Sequence, residues 1–393
     1  MKNILFITSS FPYGFSEGFI NAEIKALQDA GVNITVLPTY PRGELNPGNL
    51  KVNTINLPLF SPSYFLSFIK FFFRKPATTL KALALCIDRK PRNSLKNLSI
   101  IPKLCHFLLT SESKYDFALA YWASIPAQFA MLYSFITNRE WAFTGHRWDL
   151  VERNNFDRKF KRARFVRLIS RSGLDLLGYS LASAFRQKIR VVHLGVDVAS
   201  TPDFSSSLRS KKIVCIANLN PVKGLAYLIE AVPLIDQSIS LDIIGDGPLR
   251  KELSEKALSL GLRDRVSFLG AIPHSDVTAL LQSGRYGALV LPSIDLGNGL
   301  HEGIPVVLME AMSNGIPVIS TNTGGIRELI GENSDFGICV TEKCSHELAV
   351  SITKLMSSET LRINYAKNGF RRVLETFNSN LNTARILELI EKK

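Results

Sequence analysis

Two glutamates eight residues apart frame the segment richest in chemistry, Glu302-Gly-Ile-Pro-Val-Val-Leu-Met-Glu310, which runs on through Ala311 and Met312 to Gly315-Ile-Pro317. Pro305 suits the first position of a helix, where its fixed φ helps and its missing N–H costs nothing; Val306–Met312 reads as the buried helix that follows. That register puts Glu302 just before the helix and Glu310 about two turns into it. The free backbone N–H groups of Gly303 and Ile304, at the positive end of the helix dipole, suit a phosphate. A carboxylate at such a place can equally be a plain cap.

The elements that would hold this segment are legible on both sides of it. Lys212–Ala217, Leu241–Ile244, Arg265–Leu269, Ala288–Leu291, Val318–Ser320 and Gly337–Val340 are short apolar runs separated by helical stretches. The first half alternates in the same way, with strands expected at Lys2–Thr8, Asn33–Leu37, Asp116–Trp122, Trp141–Thr144, Phe165–Ser170 and Ile189–His193 and a helix at Phe19–Ala30 ending on Gly31. Continuous rather than alternating apolar runs belong to parallel sheets covered on both faces. The Ser-rich stretch Val198–Lys211 interrupts the alternation and reads as a linker. The chain, at 393 residues, is long enough for two cores. The expected architecture is α/β, two doubly wound parallel sheets, with the ligand in the cleft between domains.

The net charge of +13 is confined to one half: residues 1–200 carry 27 Lys and Arg against 13 Asp and Glu, whereas the rest is nearly balanced at 20 against 21. Residues 51–100 alone have nine basic and one acidic residue. A polyanion is the implied partner. Helix-turn-helix, RNP and zinc-finger patterns are missing, which argues against nucleic acid. From Leu59 to Ile87, LFSPSYFLSFIKFFFRKPATTLKALALCI, phenylalanine-rich runs are interspersed with Lys70, Arg74, Lys75 and Lys81. The longest uncharged run is too short to span a bilayer, which takes about 20 residues. Two readings stay open: a helix lying in an anionic membrane interface, or a core helix with solvated lysines. Cys86, Cys105, Cys215, Cys339 and Cys344 are scattered without paired spacing, as in a reduced cytoplasmic protein. The N-terminal apolar run is too brief for a signal peptide, so a cytoplasmic location, with peripheral attachment to the membrane left open, is expected.

With its surroundings, Glu302–Glu310 resembles the E-x(7)-E motif of the family 4 glycosyltransferases, retaining enzymes of the GT-B fold, and the resemblance runs over nearly the whole chain. Ile216-Ala-Asn-Leu-Asn-Pro-Val-Lys223-Gly224 is similar to that family's GRL…KG segment, and Ile243-Ile-Gly245-Asp246-Gly247-Pro248 to its GxGP turn. Val290-Leu-Pro292-Ser293 resembles the strand end leading to the site, and Thr323-Gly324-Gly325-Ile-Arg-Glu328 the GGxxE helix start. In the first half, SSFPYGFSEGFI (Ser9–Ile20) resembles the FPxxSExFI entry of the polysaccharide-assembly members, Phe143-Thr-Gly-His146-Arg-Trp-Asp149 their T-x-H-x-x-D loop, and Val192-His-Leu-Gly195-Val-Asp197 the strand ending their first domain. Capsular, exopolysaccharide and colanic-acid-type enzymes are the most similar subgroup.

The resemblance implies two Rossmann-like domains, residues 1–199 for the acceptor and 200–375 for the donor, with a helix over 376–393 crossing back to the first. It implies a metal-independent hexosyltransferase that needs no cofactor beyond a UDP- or GDP-sugar and passes the sugar to a lipid-linked or oligosaccharide acceptor. Catalytic roles fall to Glu302, His146 and Lys223. Donor contacts fall to Gly14, Asn218, Lys223, Gly245, Gly247, Pro248, Gly303, Ile304, Pro305 and Glu310, the last at the ribose. Ser16, Glu17, Tyr121, Arg147 and Asp149 fall on the acceptor side. No metal ligand is implied, and the chain has no D-x-D triplet. Charge grows on the leaving diphosphate, so cations and backbone donors are what the reaction requires.

Two positions depart from the pattern. Asn218 replaces the arginine that partners the lysine, leaving Arg147 or Arg153 to compensate. The loop histidine after the fourth N-terminal strand falls at Tyr121 or Trp122, so that His146 either takes over its polar role or is structural. These departures favour, as the alternative function, a catalytically impaired homologue that binds a nucleotide sugar or serves as an assembly subunit. An epimerase or phosphorylase on the same fold finds no pyridoxal-phosphate lysine motif or epimerase constellation to support it.

Overall fold

A computed structural model describes residues 2–14, 17–46, 50–111, 114–198 and 200–392. The chain divides into two compact units, Met1–His193 with Thr383–Lys393, and Leu194–Asn382. Both are built on a parallel sheet.

In the first unit the strands are β1 (Asn3–Thr8), β2 (Asn33–Pro38), β3 (Asn53–Thr54), β4 (Phe117–Ala120), β5 (Glu140–Gly145), β6 (Val166–Leu168) and β7 (Ile189–Val191). They lie in the order β3-β2-β1-β4-β5-β6-β7, each neighbouring pair parallel. Ile4, Leu5, Phe6 and Ile7 are all fully buried, so both faces of β1 are covered and the apolar run has to be unbroken. The extra strand beyond those expected, β3, is two polar residues at the sheet edge, too short to show any periodicity. The chain winds outward from β1 to β3, then returns to the other side of β1 with β4. Loops leaving β1 and β4 therefore part at a switch point, where a doubly wound sheet opens a crevice.

The second unit repeats the plan with β8 (Lys212–Ile216), β9 (Ser240–Ile244), β10 (Val266–Gly270), β11 (Ala288–Leu291), β12 (Val318–Thr321) and β13 (Ile338–Val340) in the order β10-β9-β8-β11-β12-β13. Its switch point lies between β8 and β11. The Ser-rich stretch holds no helix or strand from 200 to 211 and packs within this unit, Phe204 lying 5.8 Å from the Phe370 ring. The division between the units falls upstream of it, after His193. At the C-terminus, helix Glu359–Thr376 is followed by helix Ser379–Glu391, whose residues from Thr383 onward count with the first unit. There Lys2 Nζ lies 3.4 Å from the Ile390 carbonyl and 3.6 Å from the Glu391 carboxylate.

The phenylalanine-rich segment forms two helices, Pro62–Arg74 and Pro76–Leu85. Ser61 caps the first by accepting from the Ser63 amide, and the break at Lys75 follows from Pro76, which cannot continue a helix but can begin one. Tyr64, Phe71, Ala82 and Leu85 are buried in the core, so the segment is in part a core element. Phe65, Leu66, Phe73 and Leu80 point away from it and are exposed. No helix among the described residues is long and apolar enough to cross a membrane.

At the carboxyl ends of β8 and β9 two loops are laced together: Ala217 N donates to Ile244 O at 2.9 Å, Leu219 N to Asp246 O at 2.9 Å, and Leu249 N to Leu219 O at 3.0 Å. Gly245 makes this possible, with φ +131° and a Cα so close to the other loop that a Cβ would stand 1.9 Å from Ala217 O. Gly245→Ala is accordingly expected to destabilise the protein by about 3 kcal/mol. Urea unfolding followed by circular dichroism measures it; a loss below about 0.5 kcal/mol would show that the loops part without cost.

Candidate functional site

The candidate residues of the second unit collect at the carboxyl ends of β8, β9 and β11. Lys223 ends a 3-10 turn, Pro221–Lys223, in the loop after β8. Its Nζ lies 2.6 Å from Glu302 Oε1, both side chains less than a fifth exposed. A part-buried ammonium needs a counter-charge, and Glu302 provides it in the free chain. Asn218 is exposed in the same loop, against Gly247, where an added Cβ would lie 2.6 Å from Asn218 Oδ1. Pro248 follows in the turn that leads into helix Arg250–Ser259.

Glu302 opens the segment 302–305. Ile304 sends its side chain into the core, while a Cβ on Gly303 would meet nothing within 4 Å. The fold therefore does not require glycine there, and the main chain beside Glu302 faces open space. Gly324 packs behind it with φ +56°, and a Cβ there would lie 2.0 Å from Glu302 O. Gly325 N donates to Gly303 O at 3.2 Å. The GG pair thus holds the backbone of the glutamate.

Pro305 is not the first helical residue. Its backbone is extended (φ −67°, ψ 123°), so it is the N-cap and the helix is Val306–Ser313. Glu310 consequently sits just over one turn in, not two. Among the described residues no side chain caps this helix and its first turn has no acidic residue; Leu308 N donates to Pro305 O at 3.2 Å, which leaves the Val306 and Val307 amides uncapped. Glu310 Oε1 is 2.6 Å from His274 Nε2. The hydrogen bond and charge of Glu310 raise the His274 pKa above its ordinary 6.5, against partial desolvation.

In the first unit the loops after β1, β4 and β5 carry the candidates. Gly14 N donates to Glu44 O at 2.9 Å. Ser16 lies outside the described residues. Glu17 is buried and turned into its own loop, accepting from Ser10 N at 2.9 Å and Phe11 N at 2.5 Å. Burial raises its pKa, and those amides oppose the rise. Tyr121 is buried with its ring 5.1 Å from His146, and the Trp122 ring is 4.2 Å from the same imidazole. Burial, then the Arg167 charge, push His146 down to about 3. That favours the neutral imidazole, and among the described residues its buried Nε2 has no hydrogen-bond partner. Asp149 Oδ2 accepts from Ala123 N at 3.0 Å and His146 N at 3.3 Å, tying the β4 and β5 loops together. Burial raises that carboxyl to about 6. The Arg147 guanidinium lies 4.2 Å from the Trp148 ring centre. Arg153 is engaged elsewhere, donating to the Leu176 and Leu177 carbonyls at 2.9 and 3.2 Å.

Three contributors are absent from the motif list. His274 is the exposed first residue of helix His274–Gln282, after Pro273, with nothing in its neighbours to single it out. Lys159 lies within the basic run Arg158–Arg164, which reads as solvated surface, yet it is buried, donating to the Ala123 and Ser124 carbonyls at 2.7 Å. Burial lowers it to about 7. Arg167 Nη1 meets the Glu23 carboxylate at 2.7 and 2.8 Å, both residues buried, and its other nitrogens hold the Val192 and His193 carbonyls. Alternation marks a strand but not which of its polar residues turn inward.

Residues 201–372 match the family described as "Glycosyl transferases group 1". Over this segment the chain is similar to that family. Its bounds enclose the Lys223, Gly245–Pro248, Glu302–Glu310 and Gly324–Gly325 positions. The chain is similar to the amylovoran biosynthesis glycosyltransferase AmsK of Erwinia amylovora, 30% identical over 214 residues, 52% of this chain and 51% of that one. It is 32% identical over 212 residues to the putative colanic acid biosynthesis glycosyltransferase WcaL of Escherichia coli, 52% of each. The chain thus spans about half the length of the curated relatives it matches. Among solved structures, Anabaena HepE in complex with UDP and glucose aligns over 100% of both chains with a TM-score of 0.73 at 19% identity. Sucrose-phosphate synthase from Thermosynechococcus elongatus aligns over 99% of this chain and 98% of its own, with a TM-score of 0.73 at 18% identity. The fold of the chain is GT-B, with a parallel sheet in each Rossmann-like unit. In the second unit the strand ends carry the candidate donor residues.

The His274–Glu310 pair has a defined pH signature. Because the folded-state pKa of His274 is raised, its contribution to stability is fully present below about pH 6.5, the unfolded value, and is lost as pH rises through the folded value. An NMR titration of the His274 ring should give a value above 6.5 that falls in Glu310→Gln, while His146 should show no titration between pH 5 and 9. A His274 value unmoved by Glu310→Gln would exclude the pairing in solution.

Proposed function

We propose that the protein is a retaining glycosyltransferase that moves a hexosyl group from a UDP- or GDP-sugar to a lipid-linked or polysaccharide-repeat acceptor in the assembly of a cell-surface polysaccharide. The observation that carries this reading is the convergence of Lys223, Glu302 and the uncapped start of helix Val306–Ser313, with open space beside Gly303. A diphosphate placed there takes over Lys223 from Glu302 and receives the uncapped N–H groups, which meet the charge that develops as the glycosidic bond breaks. Glu302, released, faces the sugar, and Glu310 takes the ribose hydroxyls with His274 behind it. The bond from the sugar C1 to the β-phosphate oxygen breaks, and the acceptor oxygen bonds to C1 on the same face. Its proton passes to the departing phosphate, so no protein nucleophile is needed. The names of the amylovoran and colanic acid relatives and the UDP and glucose bound by HepE support the substrate class. The acceptor is assigned to the loops of the first unit, with His146 as a neutral polar group and Tyr121, Arg147 and Asp149 around it. The assignment of the leaving charge to Lys223 and backbone amides makes the reaction independent of a divalent metal.

A second reading rests on Asn218. An uncharged, exposed side chain stands where a second cation would face the diphosphate, and Arg153 is committed to carbonyls. A homologue that binds the nucleotide sugar without turning it over would look the same at this position.

Thermal-shift measurements against UDP-, GDP- and ADP-sugars, with donor hydrolysis in parallel, separate the two. Stabilisation by one nucleotide series with slow, EDTA-insensitive hydrolysis is the expected result; stabilisation without transfer to any acceptor tried would favour the binding subunit. Lys223→Ala should lower kcat by about 100-fold or more. Glu302→Gln should lose turnover to a similar extent while keeping part of the donor affinity, and an unchanged rate would remove Glu302 from the mechanism. Gly303→Ala, whose Cβ has no atom within 4 Å beyond its chain neighbours, should leave the melting temperature of the free protein unchanged yet weaken the donor-induced shift.

A further inference from the structure

The helix pair Pro62–Arg74 and Pro76–Leu85 has two apolar faces where the fold uses one. Tyr64 and Phe71 face inward and are buried. On the opposite side Phe65, Ile69 and Phe73 follow one another at four-residue intervals, a single stripe along the helix, with exposures of 64%, 36% and 78%. Leu66 stands beside the stripe at 67%, Phe60 just ahead of the helix at 92%, and Leu80 on the second helix at 57%. A cluster of large apolar side chains of this extent is not a neutral surface.

The charges around it are of one sign. Lys70 and Arg74 flank the stripe one turn apart, Lys75 sits at the junction of the helices and Lys81 adjoins Leu80, all four exposed. Residues 51–87 contain no Asp or Glu. A second copy of the chain meeting this face through the same patch would oppose like charges with no carboxylate to neutralise them. The helices, 13 and 10 residues long, are too short to span a bilayer.

We infer that this face docks on an anionic lipid bilayer, with Phe60, Phe65, Leu66 and Phe73 in the boundary between headgroups and acyl chains and Lys70, Arg74, Lys75 and Lys81 against lipid phosphates. Aromatic and aliphatic side chains supply the insertion, and the basic residues supply the selectivity for negative headgroups. The inner face keeps the helices anchored to the core, so docking needs no unfolding of the unit. The surface is independent of donor and acceptor, and its test needs no turnover.

The test is flotation of the whole protein with phosphatidylcholine vesicles with or without about 30% phosphatidylglycerol, at low and high salt. Binding to the anionic vesicles alone, weakening as salt is raised, is expected. The double variants Phe65→Ser/Phe73→Ser and Lys70→Glu/Arg74→Glu should each lower the vesicle partition coefficient about tenfold or more. The changed side chains are exposed, so the melting temperature should hold; if the apolar variant does not fold, the charge variant carries the test. Absence of flotation at low salt, or flotation undiminished in the variants that fold, would overturn the inference. So would sedimentation showing a dimer that Phe65→Ser/Phe73→Ser dissociates, which would assign the face to a second copy.

Discussion

Both units depend on one constraint: a parallel sheet covered on its two faces can spare no residue of its central strands for solvent. Ile4 to Ile7 and Ala288 to Leu291 are buried without alternation. Polar chemistry is thereby driven to the strand ends, and because all strands run the same way, the loops after β1, β4 and β5 leave one edge of the first sheet and those after β8, β9 and β11 leave one edge of the second. The switch in strand order parts neighbouring loops there. Every candidate residue among the described ones lies on such a loop or in the helix that follows it.

In the second unit this edge is assembled mainly by backbone. Gly245 lets one loop touch the next, and Gly324 lets the loop after β12 close on the carbonyl of Glu302. Rigid main chain then presents a few side chains, which are paired with one another in the free protein: Lys223 with Glu302, Glu310 with His274. Pairing spares each part-buried charge the cost of standing alone, and leaves groups that exchange one partner for another of like charge.

The first unit uses buried polar groups to set its loops. Asp149 joins the β4 and β5 loops through two amides, Lys159 holds the Ala123 and Ser124 carbonyls from beneath, and Arg167 with Glu23 braces helix Ile20–Asp29 against the end of β7. Such networks rigidify when every member is satisfied. Among the described residues the network is incomplete: His146 Nε2, beside the Trp122 ring, Thr144 Oγ1 and Asn154 Nδ2 are buried without a partner.

The strands, their parallel sense and the motifs of the second unit were legible in the sequence, because unbroken apolar runs and glycine spacing report local backbone requirements. So was the pairing of Lys223 with Glu302 in one place, although Pro305, with its extended ψ, proved to be the cap rather than the first helical residue. The outer stripe of the phenylalanine-rich helices was visible as composition only; which phenylalanines face the core depends on what the helix packs against. The burial of Lys159, the partnering of Arg167 with Glu23 and of His274 with Glu310, and the neutrality of His146 were not legible at all. The sequence by itself determined the strand pattern and the loop motifs, which depend on neighbours along the chain. Only the tertiary structure decided which charged side chains lose water and which partner each then finds, because the partners lie as many as 144 residues apart in the chain and desolvation exists only once the packing does.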